Sequence, residues 1–253
     1  MGIISMMEQA AQRPITQGSG LQSKAATGLT VEHLMFGAIV AVGVAMRFVG
    51  LASAPLTPAE AAHAWAAWQA ATATAVANAP APTSALLYGI DALLFFLFGG
   101  NDLLARLASA LAGVATVTLP WFWRGYLGRT AALVVALLFA IDPWLTALSR
   151  QADGASLAIF LALLALTAIW QWQAGGSRGW ERTLAVSAGL LLTAGTLAWS
   201  FLPVLALAAW LGWRAAGPVR PSLQRATFFW FLGALELLRR MALPAGATDY
   251  LPF

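Results

Sequence analysis

The chain has 253 residues, 60% of them hydrophobic and 9% charged, where an ordinary soluble domain carries roughly 25% charged residues. So little polar surface cannot coat a water-exposed body, which excludes a soluble globular protein and implies an all-α, polytopic membrane protein. Its 14 Lys and Arg exceed its 10 Asp and Glu, but they lie scattered at the ends of apolar runs, as in membrane proteins, which argues against nucleic acid as a partner.

Zero Cys rules out a disulfide framework, an iron–sulfur cluster and a thiolate zinc site. Residues 1–29 are polar and rich in Gly, Ser, Gln and Thr, with no apolar run behind a basic start, so they read as a cytoplasmic tail rather than a secretory signal. Met1-Gly2 resembles a myristoylation start, but the hydroxyl is Ser5 and position 6 is Met6, so the pattern misses by one.

The first span is expected over 33–52, about 20 residues as a bilayer requires, with Arg47 near its far end. An outer loop follows over 53–100. Its Ala-rich part carries Glu60, His63, Trp65 and Trp68 and predicts an interfacial helix. The apolar run 84–98 contains Asp91, ends at Gly99-Gly100 and is short for a crossing, which predicts a helix lying along the membrane. Further spans are expected over 103–123, 130–148 and 154–172. The long run 183–213 is divided by Pro203, and the positive-inside rule favours two short spans there. A last span over 226–243 completes a module of seven spans (residues 30–243) and leaves 244–253 as an outer tail. This topology puts nine basic and three acidic residues inside, against five and seven outside, so the N-terminus is expected in the cytoplasm.

Most acids then gather on the outer side: Glu60, Asp91, Asp102, Asp142 and Asp153, with Arg47, Arg106 and Arg150 as available partners. Ionisable groups at membrane depth are costly, so they mark either a site or ion pairs that fix the loop on the bundle. His33 and His63 lie about a bilayer apart, too far to share a haem. His63 follows Glu60 at helical spacing and offers a weak metal or acid/base pair, or a plain interfacial imidazole. Trp121, Trp123, Trp170, Trp172, Trp180, Trp210 and Trp213 fall at expected span ends and read as an aromatic belt. No P-loop, dinucleotide fingerprint, nucleophile elbow or zinc motif occurs.

The order of these residues carries a resemblance. Arg47-Phe48-Val49-Gly50-Leu51 precedes Pro55-Leu56-Thr57-Pro58-Ala59-Glu60 and His63; Asn101-Asp102, Arg106 and Ser109 follow, then Gly125-Tyr126-Leu127-Gly128-Arg129, Asp142-Pro143-Trp144 and Ser149-Arg150-Gln151-Ala152-Asp153. Over roughly 33–243 this resembles the GT-C superfamily of membrane glycosyltransferases, which take a sugar from a polyprenyl-phosphate carrier. The resemblance implies an Asp-Glu pair after the first span, the Asp serving as base or metal ligand, at positions that here hold Ala59 and Glu60. It also implies an Arg where Asp153 stands. Members carry further spans after the shared module, so the resemblance implies a scaffold without its second half. The expected function is therefore a catalytically silent accessory subunit with no cofactor. It would pack through residues 1–29 and its span surfaces on other integral membrane subunits and lipids, with an energy-transducing complex the expected assembly. The alternative is an active transferase with Glu60 as base, Arg47, His63, Arg150 and Asp153 on the substrate, and a polyprenyl-phosphate sugar and a divalent metal as cofactors.

Overall fold

The computed structural model describes residues 30–74, 84–174 and 178–214, and these are helices and their connections with no strand among them. The chain divides into two compact units, Met1–Leu34 and Met35–Phe253, and only 30–34 of the first are described. In order the helices are α1 (Val31–Phe48), α2 (Pro58–Ala71), α3 (Ala85–Phe98), α4 (Asp102–Thr118), α5 (Pro120–Leu127), α6 (Arg129–Ile141), α7 (Pro143–Ser149), α8 (Ala155–Gln173), α9 (Arg178–Thr193) and α10 (Leu197–Arg214).

Three stretches are long and apolar enough to cross a membrane: α1, α4 continued by α5 (Asp102–Leu127), and α8. The pair α6 and α7 makes a fourth if counted as one span, bent by 57° at its junction. These helices are compatible with a membrane protein; seven spans are not reproduced among the described residues. Pro203 does not divide the run 183–213. It lies inside α10, and the chain breaks earlier, around Gly195 at φ +128°, between α9 and α10. A proline removes one helical hydrogen bond and kinks, whereas a glycine at positive φ ends the helix outright. The expected span 226–243 and both tails, 1–29 and 244–253, lie outside the described residues.

The local signals explain most boundaries. Ser84 and Asn101 cap α3 and α4 by accepting from the N–H of Leu87 and Leu104, which satisfies donors that the first helical turn leaves open. Gly99, at φ +82°, ends α3. The apolar helix α3 is too short to span, as its length predicted, and stays outside the crossing set.

Helix α8 is the centre. It packs against α4, α9 and α10, and is apolar all round, as a buried helix must be. In lipid the hydrophobic effect no longer drives helices together, so close approach and hydrogen bonds must do so. Ala158, Ala162 and Ala165 are wholly buried and let the neighbours approach. Ser156 Oγ donates to the Ser109 carbonyl while Ser109 Oγ donates to that of Asp153, each at 2.9 Å, which stitches α4 to the start of α8. Trp123 of α5 and Trp170 of α8 are not in an aromatic belt: both are buried inside the bundle, and Trp123 Nε1 donates to Thr167 Oγ1 at 2.8 Å. An indole buried in lipid needs a partner for its N–H, and the Thr167 hydroxyl supplies one.

One very tight approach is at Gly113 of α4. A Cβ there would stand 2.4 Å from Ser149 Cβ and 2.7 Å from Arg47 Nε. Gly113→Ala is expected to lower stability by about 1–3 kcal/mol through overpacking, read as a lower thermal midpoint of the detergent-solubilised chain; an unchanged midpoint would mean that α4 and α7 can separate freely.

Candidate functional site

The candidate residues meet at one end of the bundle, where α1 and α6 finish and α4 and α8 begin. Each arginine there is spent on backbone, and each for a reason visible in the helix ends.

Pro143 has no N–H, so the carbonyl of Phe139 has no helical donor, and the bend removes the donor for Ala140. Arg47, reaching from α1, supplies them: Nη2 donates to the Phe139 carbonyl at 2.9 Å and Nη1 to those of Ala140 at 3.3 Å and Gly43 at 3.2 Å. The side chain is completely buried, and its Nε has no partner among the described residues. Beside it lies a cavity with room for about one water, lined by Arg47, Gly113, Thr116 and Ser156 among aliphatic side chains.

Arg150, which ends α7, does the same for α1. Its Nη1 donates to the carbonyls of Met46 and Val49 and its Nη2 to that of Gly50, at 2.8–3.1 Å. Gly50 takes φ +67°, a left-handed turn that closes α1 and aims these carbonyls at the guanidinium.

Arg106 of α4 gathers the next stretch. Its Nη1 donates to the carbonyls of Leu51 and Ala54 at 2.9 Å and its Nη2 to that of Pro55 at 3.1 Å. Nε and Nη2 then meet Glu60 Oε1 at 3.2 Å and Oε2 at 3.0 Å, a two-pronged ion pair with both side chains buried.

Glu60 itself is a helix-cap residue. Thr57 is the N-cap of α2, Pro58 occupies its first turn, and Glu60 Oε2 accepts the Thr57 N–H at 2.8 Å while the Glu60 N–H reaches Thr57 Oγ1, a reciprocal capping box. Oε1 also accepts the Ala152 N–H at 2.7 Å. Burial alone would raise the carboxyl's pKa, but the Arg106 guanidinium and the N–H groups of Thr57 and Ala152 outweigh it and hold it below the usual carboxylate range.

The remaining candidates separate from this clasp. Asp142 caps α7, its Oδ1 accepting from the Leu145 N–H at 2.7 Å. Asp153 and Asp102 are exposed. His63 does not pair with Glu60; its Nε2 lies 3.4 Å from Asp91 Oδ2, across the contact between α2 and α3. Of the three arginines offered as partners for the acids, Arg106 alone meets one within the ion-pair distance among the described residues. No group of three or more His, Asp or Glu side chains is placed to hold a metal ion among the described residues.

The chain matches no family model, no curated protein and no solved structure. The site's chemistry is therefore read from its own geometry. A general base needs a free lone pair within reach of the proton it takes and a pKa near the working pH. Glu60 accepts four hydrogen bonds and has its pKa moved the wrong way. A phosphate site needs several free donors that converge, yet most Nη hydrogens of Arg47, Arg106 and Arg150 end on the chain's own carbonyls or on Glu60. What this arrangement does well is close a backbone that would otherwise leave bare carbonyls at three helix ends and turns.

Proposed function

We propose that this chain is a catalytically silent integral membrane accessory subunit, a GT-C-like scaffold that packs on a larger membrane complex and stabilises it. In this reading the module crosses seven times with a cytoplasmic N-terminus, and its clasp faces the outer side with the first loop. The observation that carries it is the state of Glu60. The carboxylate that would have to serve as base beside Ala59 is buried, saturated with hydrogen bonds and locked to Arg106.

Surface chemistry supports the same reading. Helix α1 has only 11% of its span buried, against 67% for α4 with α5 and 72% for α8, and it exposes Met35, Val42, Val44 and Met46. Such a face is served equally by lipid and by neighbouring subunits, and nothing on it suits nucleic acid. An energy-transducing complex is the class of assembly proposed.

The test is purification of the tagged, full chain from its own membranes in a mild detergent, followed by native mass measurement and an assay of sugar transfer from a polyprenyl-phosphate donor. A stable larger assembly with no transfer is expected. A lone monomer would overturn the subunit reading, and transfer that is lost on Glu60→Gln while the fold survives would replace it with the transferase reading.

A further inference from the structure

The clasp accounts for Arg47, Arg106, Arg150, Glu60 and Asp142. It leaves one pair of buried ionisable side chains without a role, His63 on α2 and Asp91 on α3. Asp91 is completely buried and His63 nearly so. They stand 3.4 Å apart, in ion-pair range but without hydrogen-bond geometry, and neither carboxylate oxygen nor either ring nitrogen has a hydrogen-bond partner among the described residues.

Among the described residues nothing around the pair gives it another counter-charge. From α3 the groups facing His63 are Asp91 and the edge of Tyr88, whose ring centroid lies 6.5 Å away. On its own helix Glu60 is bound to Arg106 of α4, and the other ionisable residue of α4, Asp102, is exposed. Helix α9 also touches α3, but Glu181 and Arg182 near its start are exposed. The segment joining α2 to α3, residues 75–83, contains no ionisable residue. Apolar contacts among Ala64, Ala67, Phe95 and Leu104 complete the interface.

We propose that His63 and Asp91 form a proton-operated latch: one proton shared between imidazole and carboxyl fastens α2 to α3, and its loss releases α2. With that proton the pair is neutral as a unit, either as imidazolium and carboxylate or as imidazole and carboxylic acid. Without it a net negative charge is left in a dry site with no donor but one imidazole N–H, a costly state that opening to water relieves. Burial acts the same way on Asp91, whose carboxyl is pushed up from the ordinary range against the partial opposition of His63. The folded state thus holds this one proton more tightly than the open one, so the fastening is present while the pair keeps it and is lost as the pH rises. Because α2 is anchored at its first turn by the Glu60 clasp, release frees its far end. The latch rests on the α2–α3 contact alone and stands or falls independently of the subunit reading.

The test is hydrogen exchange of the full chain in nanodiscs, followed by mass spectrometry of peptides from 58–71 and corrected for the intrinsic pH dependence of exchange. Raising the pH from about 6 to about 9 should cut protection of α2 by about tenfold or more, while α4 and α8 stay protected. Asp91→Asn should remove that dependence. Should Asp91→Asn fail to fold, His63→Leu with Asp91→Leu, which replaces the pair by apolar groups, should fold and give a flat profile. Wild-type protection that ignores pH, or a pH profile that survives in Asp91→Asn or in the double variant, would overturn the latch.

Discussion

Replacing Arg47 by Met is expected to destabilise the bundle by about 3–5 kcal/mol, read as a much lower unfolding midpoint of the detergent-solubilised chain. Methionine keeps much of the apolar bulk, so the loss isolates the guanidinium. The carbonyls of Phe139 and Ala140 lose their donor at a break where no helical N–H can take over, and that of Gly43 loses a second donor beside its helical one. In lipid there is no water to replace the missing donor, and each unsatisfied carbonyl costs on the order of 1–3 kcal/mol. Arg47→Lys should fall between, because an ammonium reaches one or two of these oxygens but lacks the fork that spans both sides of the bend. The check is the midpoint of chemical or thermal unfolding in one detergent for all three chains. A substrate-binding arginine would behave otherwise: its loss would leave the midpoint in place.

Part of this was legible in the sequence. The pair Asp142-Pro143 announces a broken span, since Asp caps the next helix and Pro strands the carbonyls of the last one. A lone arginine at the end of an apolar run then has an obvious use. Thr57-Pro58-Ala59-Glu60 likewise carries the spacing of a capping box with proline in its first turn, a signal that assigns Glu60 to its own helix before any catalytic role is considered. The expectation that the arginines would seek the acids held for Arg106 with Glu60 and failed for Arg47 and Arg150, because it counted charges and left out backbone. Among buried groups in an apolar medium, carbonyls at helix ends are as much in need of a donor as carboxylates are, and they outnumber them. The pairing of His63 with Asp91 was not legible, since it depends on how α2 lies against α3 and no periodicity links the two. The burial of Trp123 and Trp170 was hidden for a similar reason. Tryptophan at the end of an apolar run has the same sequence signature whether its neighbour is a headgroup or the Thr167 hydroxyl of another helix.

The second large effect is expected at Glu60. Glu60→Gln keeps the shape but turns one acceptor oxygen into an NH2 that confronts donors from Thr57, Ala152 and Arg106, and the guanidinium keeps a buried charge with no counter-charge. The cost is expected at about 3–5 kcal/mol, the range for breaking one side of a buried pair. Arg106→Met should cost as much or more, because it also strips the carbonyls of Leu51, Ala54 and Pro55. The double variant, Glu60→Met with Arg106→Met, should be less destabilised than the two single losses together, since no charge is then left alone. Acid provides a second route to the same break. The carboxyl of Glu60 is held below its ordinary value of 4.5, so its contribution is present above that value and is lost as the pH falls through the lower folded one. Wild-type unfolding midpoints should therefore drop on the acid side, and this drop should shrink in Glu60→Gln. The sign is opposite to that of the His63–Asp91 latch, which weakens as the pH rises. Two carboxylates on adjacent helices thus respond to pH in opposite directions, because one is buried against a fixed guanidinium and several N–H donors while the other has only an imidazole that can itself give up its proton. Helix α2 is held at both points only in the interval between these transitions, and a midpoint-versus-pH curve that falls on both sides, with the acid limb reduced by Glu60→Gln and the alkaline limb removed by Asp91→Asn, is the expected signature.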